Sequence, residues 1–239
     1  MSTSRTILIT GVSSGIGRSL AVEFARCGDR IVGIARDRRL LKALEREIRS
    51  EGGDGIMLPC DVRQERQVMN AIKRGTSVLG PCDILVNNAG VTAFGNFLAT
   101  SVRSFDEILD TNLKGAMIVT RAVLPSMVKH KKGTIINIVS YAAKTVYQGS
   151  SAYSAAKAGL AGMMNVIREE VRSSGVKVIN VYPGAVLTPM WSPKQRALFQ
   201  DTMIPSGDFA RMLYELSLQP ASMTVEELVV RPPIGDLRV

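Results

Sequence analysis

The sequence predicts an α/β fold in which a seven-stranded parallel sheet is doubly wound, with helices on both faces. Strand-like apolar runs alternate with amphipathic helical stretches along all 239 residues, which is the pattern of a parallel sheet covered on both sides. The composition, 46% hydrophobic and 21% charged, suits one large core. We therefore expect a single domain over residues 1–239.

Seven apolar runs bounded by turn residues are predicted to be strands. They lie at 6–10, 30–35, 55–59, 84–87, 133–140, 176–182 and 227–230. Helices are predicted at 15–27, 38–50, 65–79, 105–130, 151–174 and 208–218, each ending in a charged or glycine-containing turn. Residues 189–205 are irregular, rich in proline and methionine with the single tryptophan, and we expect a substrate lid there.

Charge and composition exclude several classes of function. The net charge is +9, but the basic residues are interleaved with glutamates on helices, as in 38–51, so they predict solvated surface rather than a nucleic-acid site. Three widely spaced cysteines and one histidine, His130, argue against a disulfide framework, a metal site and histidine-activated nucleophiles. Residues 1–5 lack a signal-peptide apolar region, and no apolar run approaches the roughly 20 residues that span a bilayer. We expect a soluble, cytoplasmic protein without metal, nucleic-acid or membrane partners.

A glycine-rich turn joins the first strand to the first helix. Gly11, Gly15 and Gly17 lie in this turn, where free N–H groups and the helix dipole attract a pyrophosphate. Turns also use glycine for conformational reasons alone. The position of this turn, in the first βα unit and about 20 residues before the end of strand two, predicts a dinucleotide site.

Tyr153 and Lys157 form the second motif. They lie four residues apart on a predicted helix and so share one face, where the lysine charge is expected to lower the pKa of the phenol. That pair would make a proton-transfer site. The alternative is a surface tyrosine beside a surface lysine. None of the other tyrosines has a lysine at this spacing; the residues at i+4 are Thr145, Ser151, Val186 and Leu218.

These motifs, together with several others, resemble the classical short-chain dehydrogenase/reductase family. The shared features are the Gly-x3-Gly-x-Gly turn, Asn87 to Gly90 after strand four, Asn112, Ser140 thirteen residues before Tyr153, Lys157, and Pro183-Gly184 followed by Thr188. They occur in the family's order and at its spacings over nearly the whole chain. The resemblance implies a Rossmann-type sheet and an oxidoreductase that interconverts a carbonyl and a secondary alcohol.

The resemblance also implies the catalytic roles. Tyr153 would be the general acid/base, and Lys157 would lower its pKa and bind the nicotinamide ribose. Ser140 would donate a hydrogen bond to the substrate oxygen, and Asn112 would hold a water that links Lys157 to solvent. By residue type alone, Ser140 would be a turn former and Asn112 a buried, hydrogen-bonded amide.

The cofactor is expected to be NADP(H). An acidic residue at the tip of strand two would bind the NAD ribose. Ala35 stands there instead, followed by Arg36, whose guanidinium can pair with a 2′-phosphate. The alternative is that Arg36 begins a basic helix capped by Asp37. The full set of cofactor-binding residues implied by the resemblance is Gly11, Ser13, Ser14, Gly15, Ile16, Gly17, Arg36, Asp61, Val62, Asn88, Ala89, Gly90, Tyr153, Lys157, Pro183, Gly184, Val186 and Thr188; Asp61 has a turn-forming role as its alternative.

The family further implies a homodimer or homotetramer, with a small-molecule substrate. Two narrower interpretations stay open: a 3-oxoacyl-carrier-protein reductase, and a non-catalytic NADP-binding sensor, against which the intact Tyr153–Lys157 pair argues. The C-terminus has no Gly-Gly turn after 228–230, which departs from the reductase pattern. The basic run 129–132, with Arg168 and Arg172, is either a carrier-docking patch or a solvated helix end.

Overall fold

The structure is a computed structural model that describes residues 4–237. Its strands in this range are β1 (Thr6–Thr10), β2 (Arg30–Ala35), β3 (Asp54–Pro59), β4 (Ile84–Asn87), β5 (Gly133–Ile138), β6 (Val176–Pro183), β7 (Val186–Leu187), β8 (Ile204–Pro205) and β9 (Glu227–Val230). Seven of them form one parallel sheet, in the order β3-β2-β1-β4-β5-β6-β9. The strand order reverses direction between β1 and β4, so the predicted doubly wound, Rossmann-type α/β class is confirmed. Residues 1–3 and 238–239 of the predicted domain lie outside the described residues. Residues 1–3 are also the start of the 1–5 segment in which no signal peptide is predicted.

Helices cover both faces of the sheet. They are α1 (Gly15–Arg26), α2 (Arg38–Ser50), α3 (Glu65–Leu79), α4 (Val102–Leu109), α5 (Gly115–His130), α6 (Ser151–Val171), α7 (Pro193–Phe199) and α8 (Ser206–Ser217). In β1, Leu8 packs with α3, α5 and α6 on one face, while Ile7 and Ile9 pack with α1, α2 and α8 on the other. Both faces of the strand are buried, which explains its continuous apolar sequence.

The predicted helix at 105–130 is longer and interrupted. It begins at Val102, because the Ser101 hydroxyl accepts a hydrogen bond from the Ser104 N–H and caps the first turn. A π-helical turn, Asp110–Lys114, then separates α4 from α5. Such turns insert one extra residue and often mark functional sites.

Other element boundaries lie within a few residues of the prediction, and two differences affect the site. Strand β5 ends at Ile138 rather than residue 140, because Ser140 caps a short 3₁₀ turn by accepting from the Ala142 N–H. The predicted lid contains a helix, α7, which begins with a capping box between Ser192 and Gln195. The short strands β7 and β8 pair in parallel and close the base of the lid.

A ladder of buried asparagine side chains crosses the centre of the sheet. Asn87, Asn137 and Asn180 are aligned in register on β4, β5 and β6. The Asn87 amide donates to Asn137 Oδ1 at 2.9 Å, and the Asn137 amide donates to Asn180 Oδ1 at 3.0 Å. The Asn180 amide then donates to Asn165 of α6 at 2.9 Å. Because unpaired amides are costly in a buried site, the ladder favours this one register.

Among the helices within residues 4–237, not one combines the length and hydropathy that a bilayer crossing requires. Within the same range, no group of three or more His, Cys, Asp or Glu side chains is placed to hold a metal ion.

Replacing Asn137 with alanine should destabilise the protein by about 3 kcal/mol, because one buried N–H of the Asn87 amide and the buried Oδ1 atom of Asn180 each lose their hydrogen bond to Asn137. Asn165→Ala is the matched control: that side chain is only partly buried, so water can replace it and the loss should stay near about 1 kcal/mol. Urea unfolding measures both. Equal losses in the two variants would contradict a special role for the central position.

Candidate active site

A cavity of about 650 Å³ lies at the carboxyl ends of the central strands. It extends from the β1–α1 turn and the tip of β2 to the loop after β5 and the lid. The carboxyl edge of an open parallel sheet, where the strand order reverses, is where such folds bind ligands. All the predicted site residues line this cavity except Gly17 and Asn112.

The glycine-rich turn forms one end of the cavity. Gly11 and Gly15 have φ values of 74° and 55°, which glycine adopts at little cost. A Cβ atom on Gly11 would lie 2.8 Å from the Ala89 Cα, so the turn packs directly on the segment after β4. Ser14 precedes α1 without capping it through its side chain, which leaves the first N–H groups of α1 available to an anion. These residues fit a pyrophosphate.

Thr10 joins this turn to the segment after β4, and no sequence motif singled it out. Its hydroxyl oxygen accepts from the N–H groups of Asn88 and Ala89 at 2.9 and 2.8 Å. The Asn88 amide donates to the Thr10 carbonyl at 2.9 Å. A Cβ on Gly17 would lie 2.4 Å from the Asn88 amide nitrogen, so Gly17 permits this packing from behind the cavity wall.

At the tip of β2, Arg36 is exposed and lines the cavity. The neighbouring carboxylate, Asp37, is engaged elsewhere: it accepts from the Arg39 and Leu40 N–H groups at the start of α2. Those hydrogen bonds, with that of Leu40 first, lower the pKa of Asp37. Arg36 is therefore the charged group that β2 presents to the cavity, which suits a phosphate.

Asp61 lies between β3 and α3 and has the geometry of a turn-forming aspartate. Its carboxylate pairs with the Arg63 guanidinium at 2.7 Å and also accepts from the Arg63 N–H. The hydrogen bond from the Arg63 side chain holds the pKa of Asp61 below its usual range. Its own N–H donates to Gln67. Asp61 still lines the cavity beside Val62.

Tyr153 and Lys157 lie one turn apart on α6 at the other end of the cavity. They are 8% and 4% exposed, and the Lys157 Nζ atom lies 5.7 Å from the centre of the Tyr153 ring. The Lys157 ammonium donates to the carbonyl of Ile138, the last residue of β5, at 2.8 Å. The pair is a buried one, so the surface alternative is excluded.

Burial dominates the protonation of both groups. It raises the pKa of Tyr153, against a smaller opposite effect of the Ser140 hydroxyl. It lowers the pKa of Lys157 to about 8. The sequence predicts that Lys157 lowers the pKa of Tyr153. In the protein without cofactor, the loss of hydration is the larger influence and the pKa of Tyr153 is raised.

Ser140 lies between β5 and the 3₁₀ turn, next to Tyr153 in the cavity wall. Its oxygen accepts from the Ala142 N–H at 3.1 Å. That bond orients the side chain and leaves the hydroxyl proton free to donate into the cavity.

Asn112 lies in the π-helical turn, behind Gly90. Its amide donates to the carbonyls of Val91 and Ile108 at 2.8 and 2.9 Å. Its Oδ1 atom is buried without a hydrogen-bond partner among the described residues. A Cβ on Gly90 would lie 2.5 Å from this oxygen and 3.6 Å from the Lys157 Nζ atom. The oxygen is thus an acceptor on the Lys157 side, where an ordered water would satisfy it.

Aromatic side chains surround the substrate end of the cavity. Phe94 packs against the Tyr153 ring at 6.1 Å between centroids, and Tyr147 and Trp191 line the same space. The Trp191 indole N–H donates to the Val186 carbonyl at 3.0 Å, so Trp191 holds the lid against its base. Met190 is exposed at the rim.

Asp236 and Leu237 also line the cavity, although no sequence pattern pointed to them. They lie more than eighty residues from Tyr153 along the chain. No local motif could have placed them, since their position follows from how β9 joins the sheet.

The carrier-docking interpretation loses Arg168, and two of its other cations have acidic partners. Arg168 is 7% exposed and donates to the Val178 carbonyl at 2.8 Å, so it supports β6 from within. Arg172 pairs with Glu169 and with Glu226. In the 129–132 run, Lys132 pairs with Asp83 at 3.0 Å. Arg168 is thus removed from the surface, whereas Arg172 and Lys132 stay exposed beside their acidic partners.

Comparisons with known proteins identify the relatives of this chain. The family model described as short chain dehydrogenase matches residues 5–198. A sepiapterin reductase of Chlorobaculum tepidum is 34% identical, covering 97% of this chain and 98% of that protein. A metagenomic short-chain oxidoreductase solved in complex with NADP has a TM-score of 0.84 at 34% identity, covering 95% of this chain and 96% of that one. A variant of actinorhodin polyketide ketoreductase with NADPH has a TM-score of 0.90 at 29% identity, covering 99% and 100%.

The buried lysine predicts a pH-dependent stability. The pKa of Lys157 is about 8 in the folded protein and about 10.4 in an unfolded chain. Between these values the unfolded chain binds more protons, so stability rises with pH, by about 3 kcal/mol over the window. Lys157→Met removes this titration and leaves Tyr153 in place. Denaturant titrations measure the unfolding free energy of both proteins at each pH. Between about pH 7 and about pH 10.5, the original protein should gain about 3 kcal/mol relative to Lys157→Met. If the unfolding free energies of the two proteins change in parallel with pH, the lysine is not desolvated.

Proposed function

This chain belongs to the short-chain dehydrogenase family and is an NADP(H)-dependent oxidoreductase that interconverts a carbonyl and an alcohol, and we propose that Tyr153 is its general acid and base. One observation carries the proposal. Tyr153, Ser140 and Lys157 lie together in one cavity, whose other end holds a phosphate-binding turn and Arg36.

The protein's part of the reaction is proton transfer. When bound, the nicotinamide supplies the hydride for reduction or takes it in oxidation. Tyr153 donates its phenolic proton to the substrate oxygen in reduction and recovers one in oxidation. Ser140 donates a second hydrogen bond to the same oxygen, and that bond strengthens as negative charge develops. Burial raises the pKa of Tyr153, so the phenol carries the proton that it donates in reduction.

Lys157 and Asn112 support this transfer. One donor of the Lys157 ammonium is used by the Ile138 carbonyl, and two others remain for the ribose and for a water. The buried Asn112 Oδ1 atom is the acceptor for that water. A proton can then pass from solvent through Lys157 to Tyr153. A pKa of about 8 suits Lys157 to this relay near neutral pH.

The substrate is a small carbonyl or alcohol compound. A 3-oxoacyl-carrier-protein reductase is the narrower alternative, but Arg168 is buried against β6 and so cannot dock a carrier, and the exposed Arg172 is paired with Glu169 and Glu226. A non-catalytic NADP-binding sensor is the second alternative. The buried Tyr153–Lys157 pair argues against it, because two desolvated titratable groups in a cleft are costly without a chemical role.

We also propose that the protein is a single domain with a lid at about 189–205, that it forms a homodimer or homotetramer, and that it acts in the cytoplasm. Small residues on α6 support the assembly: Ala155, Ala158 and Gly162 are exposed, and a Cβ on Gly162 would meet nothing within 4 Å. Another helix could approach this face closely. The three cysteines are free thiols, as in a reducing compartment.

Tyr153→Phe should abolish turnover of a panel of diketones, 3-oxo esters and 3-oxoacyl thioesters with NADPH, by at least about a thousandfold, because the proton donor is lost. NADPH binding, measured by fluorescence titration, should stay within about twofold. Tyr214→Phe is the control, since that ring packs on Phe24 away from the cavity. Retained activity in Tyr153→Phe would refute the assigned role.

Arg36→Ala should weaken NADPH binding roughly 10- to 100-fold and leave NADH binding unchanged, because only NADPH carries the 2′-phosphate. Arg39→Ala is the matched control, because Arg39 is an exposed arginine in the first turn of α2, three residues after Arg36, and does not line the cavity. Equal weakening of both cofactors would instead assign Arg36 to the adenine or to the structure of β2.

A further inference from the structure

A polar cluster joins the C-terminal segment to the loop between Ser140 and Tyr153. The Tyr147 hydroxyl donates to the Asp236 Oδ1 atom at 2.6 Å. The Arg231 guanidinium lies 2.9 Å from the same oxygen and 4.2 Å above the Tyr141 ring. Asp236 is therefore held between an arginine of its own segment and a tyrosine of the catalytic loop.

The segment 231–237 lies against the carboxyl end of β6. The Gly184 N–H donates to the Val230 carbonyl at 2.7 Å. A Cβ on Gly184 would lie 3.3 Å from Arg231 Cγ and from Pro232 Cδ, so a glycine lets the segment pack this closely. Beyond this contact the segment turns at Gly235, whose φ is 83°, and brings Asp236 and Leu237 to the cavity.

We propose that Asp236 is a positioning residue that closes the substrate end of the cavity. By holding Tyr147, it fixes a wall made of Tyr147, Asp236 and Leu237, all of which line the cavity on the side of Ser140 and Tyr153. Such a wall favours compact carbonyl compounds over long acyl chains, because a long chain must displace it. The selectivity for compact substrates rests on the proposed function, whereas the contact between Tyr147 and Asp236 does not depend on it.

The loop at 141–149 needs such support because it has little structure of its own. It contains one 3₁₀ turn, Tyr141–Ala143, followed by turns and bends. Its hold on the rest of the protein comes largely from side chains. One such hold is the Tyr147–Asp236 bond, which pairs a phenol with a carboxylate and is therefore among the stronger kinds of hydrogen bond.

A second cluster holds the same loop from outside and provides a matched control. The Tyr182 hydroxyl donates to Glu227 Oε1 at 2.8 Å. Lys144 pairs with Glu227 Oε2 at 2.7 Å and lies 4.2 Å from the centre of the Tyr182 ring. The chemistry matches that of the first cluster: a phenol, a carboxylate and a cation over an aromatic ring. None of these three residues lines the cavity.

Hydrogen exchange on the full chain tests the contact without any assay of activity. In Tyr147→Phe and in Asp236→Ala, amide exchange across 141–149 should become about tenfold faster, the effect of losing one hydrogen bond to a charged group. Tyr182→Phe removes an equivalent bond and should leave the amides of Ala142 and Ala143, which are hydrogen-bonded to Ser140, within about twofold of the original protein. Thermal melts of all variants identify any that fail to fold. Unchanged amide exchange in Tyr147→Phe and Asp236→Ala would overturn the proposal. So would an equal increase in the exchange rate in Tyr182→Phe.

Steady-state kinetics with NADPH tests the effect on substrate choice. We expect the ratio of kcat/KM for a short diketone over that for a long-chain 3-oxoacyl thioester to fall about tenfold in Tyr147→Phe and Asp236→Ala, through KM rather than kcat. The NADPH dissociation constant of every variant should stay within about twofold of that of the original protein. The ratio of the two kcat/KM values in Tyr182→Phe should also stay within about twofold of its original value. An unchanged ratio with faster exchange would refute the selective role. Failure of the unaltered protein to reduce any carbonyl would count against the proposed function instead, while the exchange result would still decide the contact.

Discussion

The register of three central strands is the constraint on which the rest of the structure depends. Strands β4, β5 and β6 lead into the segments that carry Gly90, Ser140 and Gly184. A slip of one residue in any of them would turn its side chains to the opposite face of the sheet. The buried asparagines Asn87 and Asn137 help to exclude that slip, because a shifted strand would leave amides unpaired in the core. A polar interaction inside the sheet thus positions the chemistry at its edge.

Burial shapes the chemistry of the site as well as its geometry. Lys157 is fixed by the Ile138 carbonyl at the end of β5, and this ties the catalytic helix to the strand that precedes Ser140. The same burial lowers the pKa of Lys157 and raises that of Tyr153. The phenol is consequently protonated in the protein alone, and in the proposed mechanism its conversion to a base in oxidation depends on what binds beside it. The polar supports of this site, such as the Asn112 oxygen, lie behind it rather than in the cavity.

The substrate end is built from parts of the chain that are far apart. The loop after Ser140, the lid after β6 and the segment after β9 meet there. Their contacts are between side chains, such as Tyr147 with Asp236, or from a side chain to the backbone, as from the Trp191 indole to the Val186 carbonyl. In the proposed mechanism, substrate choice belongs to these least regular segments, while the reaction itself belongs to the strand ends and α6. Such a division lets one sheet support different substrates.

The fold class, the strand positions and the grouping of the predicted site residues around one cavity could be predicted from the sequence, because each depends on short-range patterns. A continuous apolar run marks β1, helical periodicity marks α1, glycine spacing marks the turn after β1, and i,i+4 spacing marks Tyr153 with Lys157. Tertiary structure decided the rest: the π-helical turn around Asn112, the internal use of Arg168, the asparagine ladder, the direction of the Tyr153 pKa, and the presence of Asp236 at the cavity. The physical reason is that burial and pairing between distant segments depend on which elements pack together, and no local pattern in the chain records that.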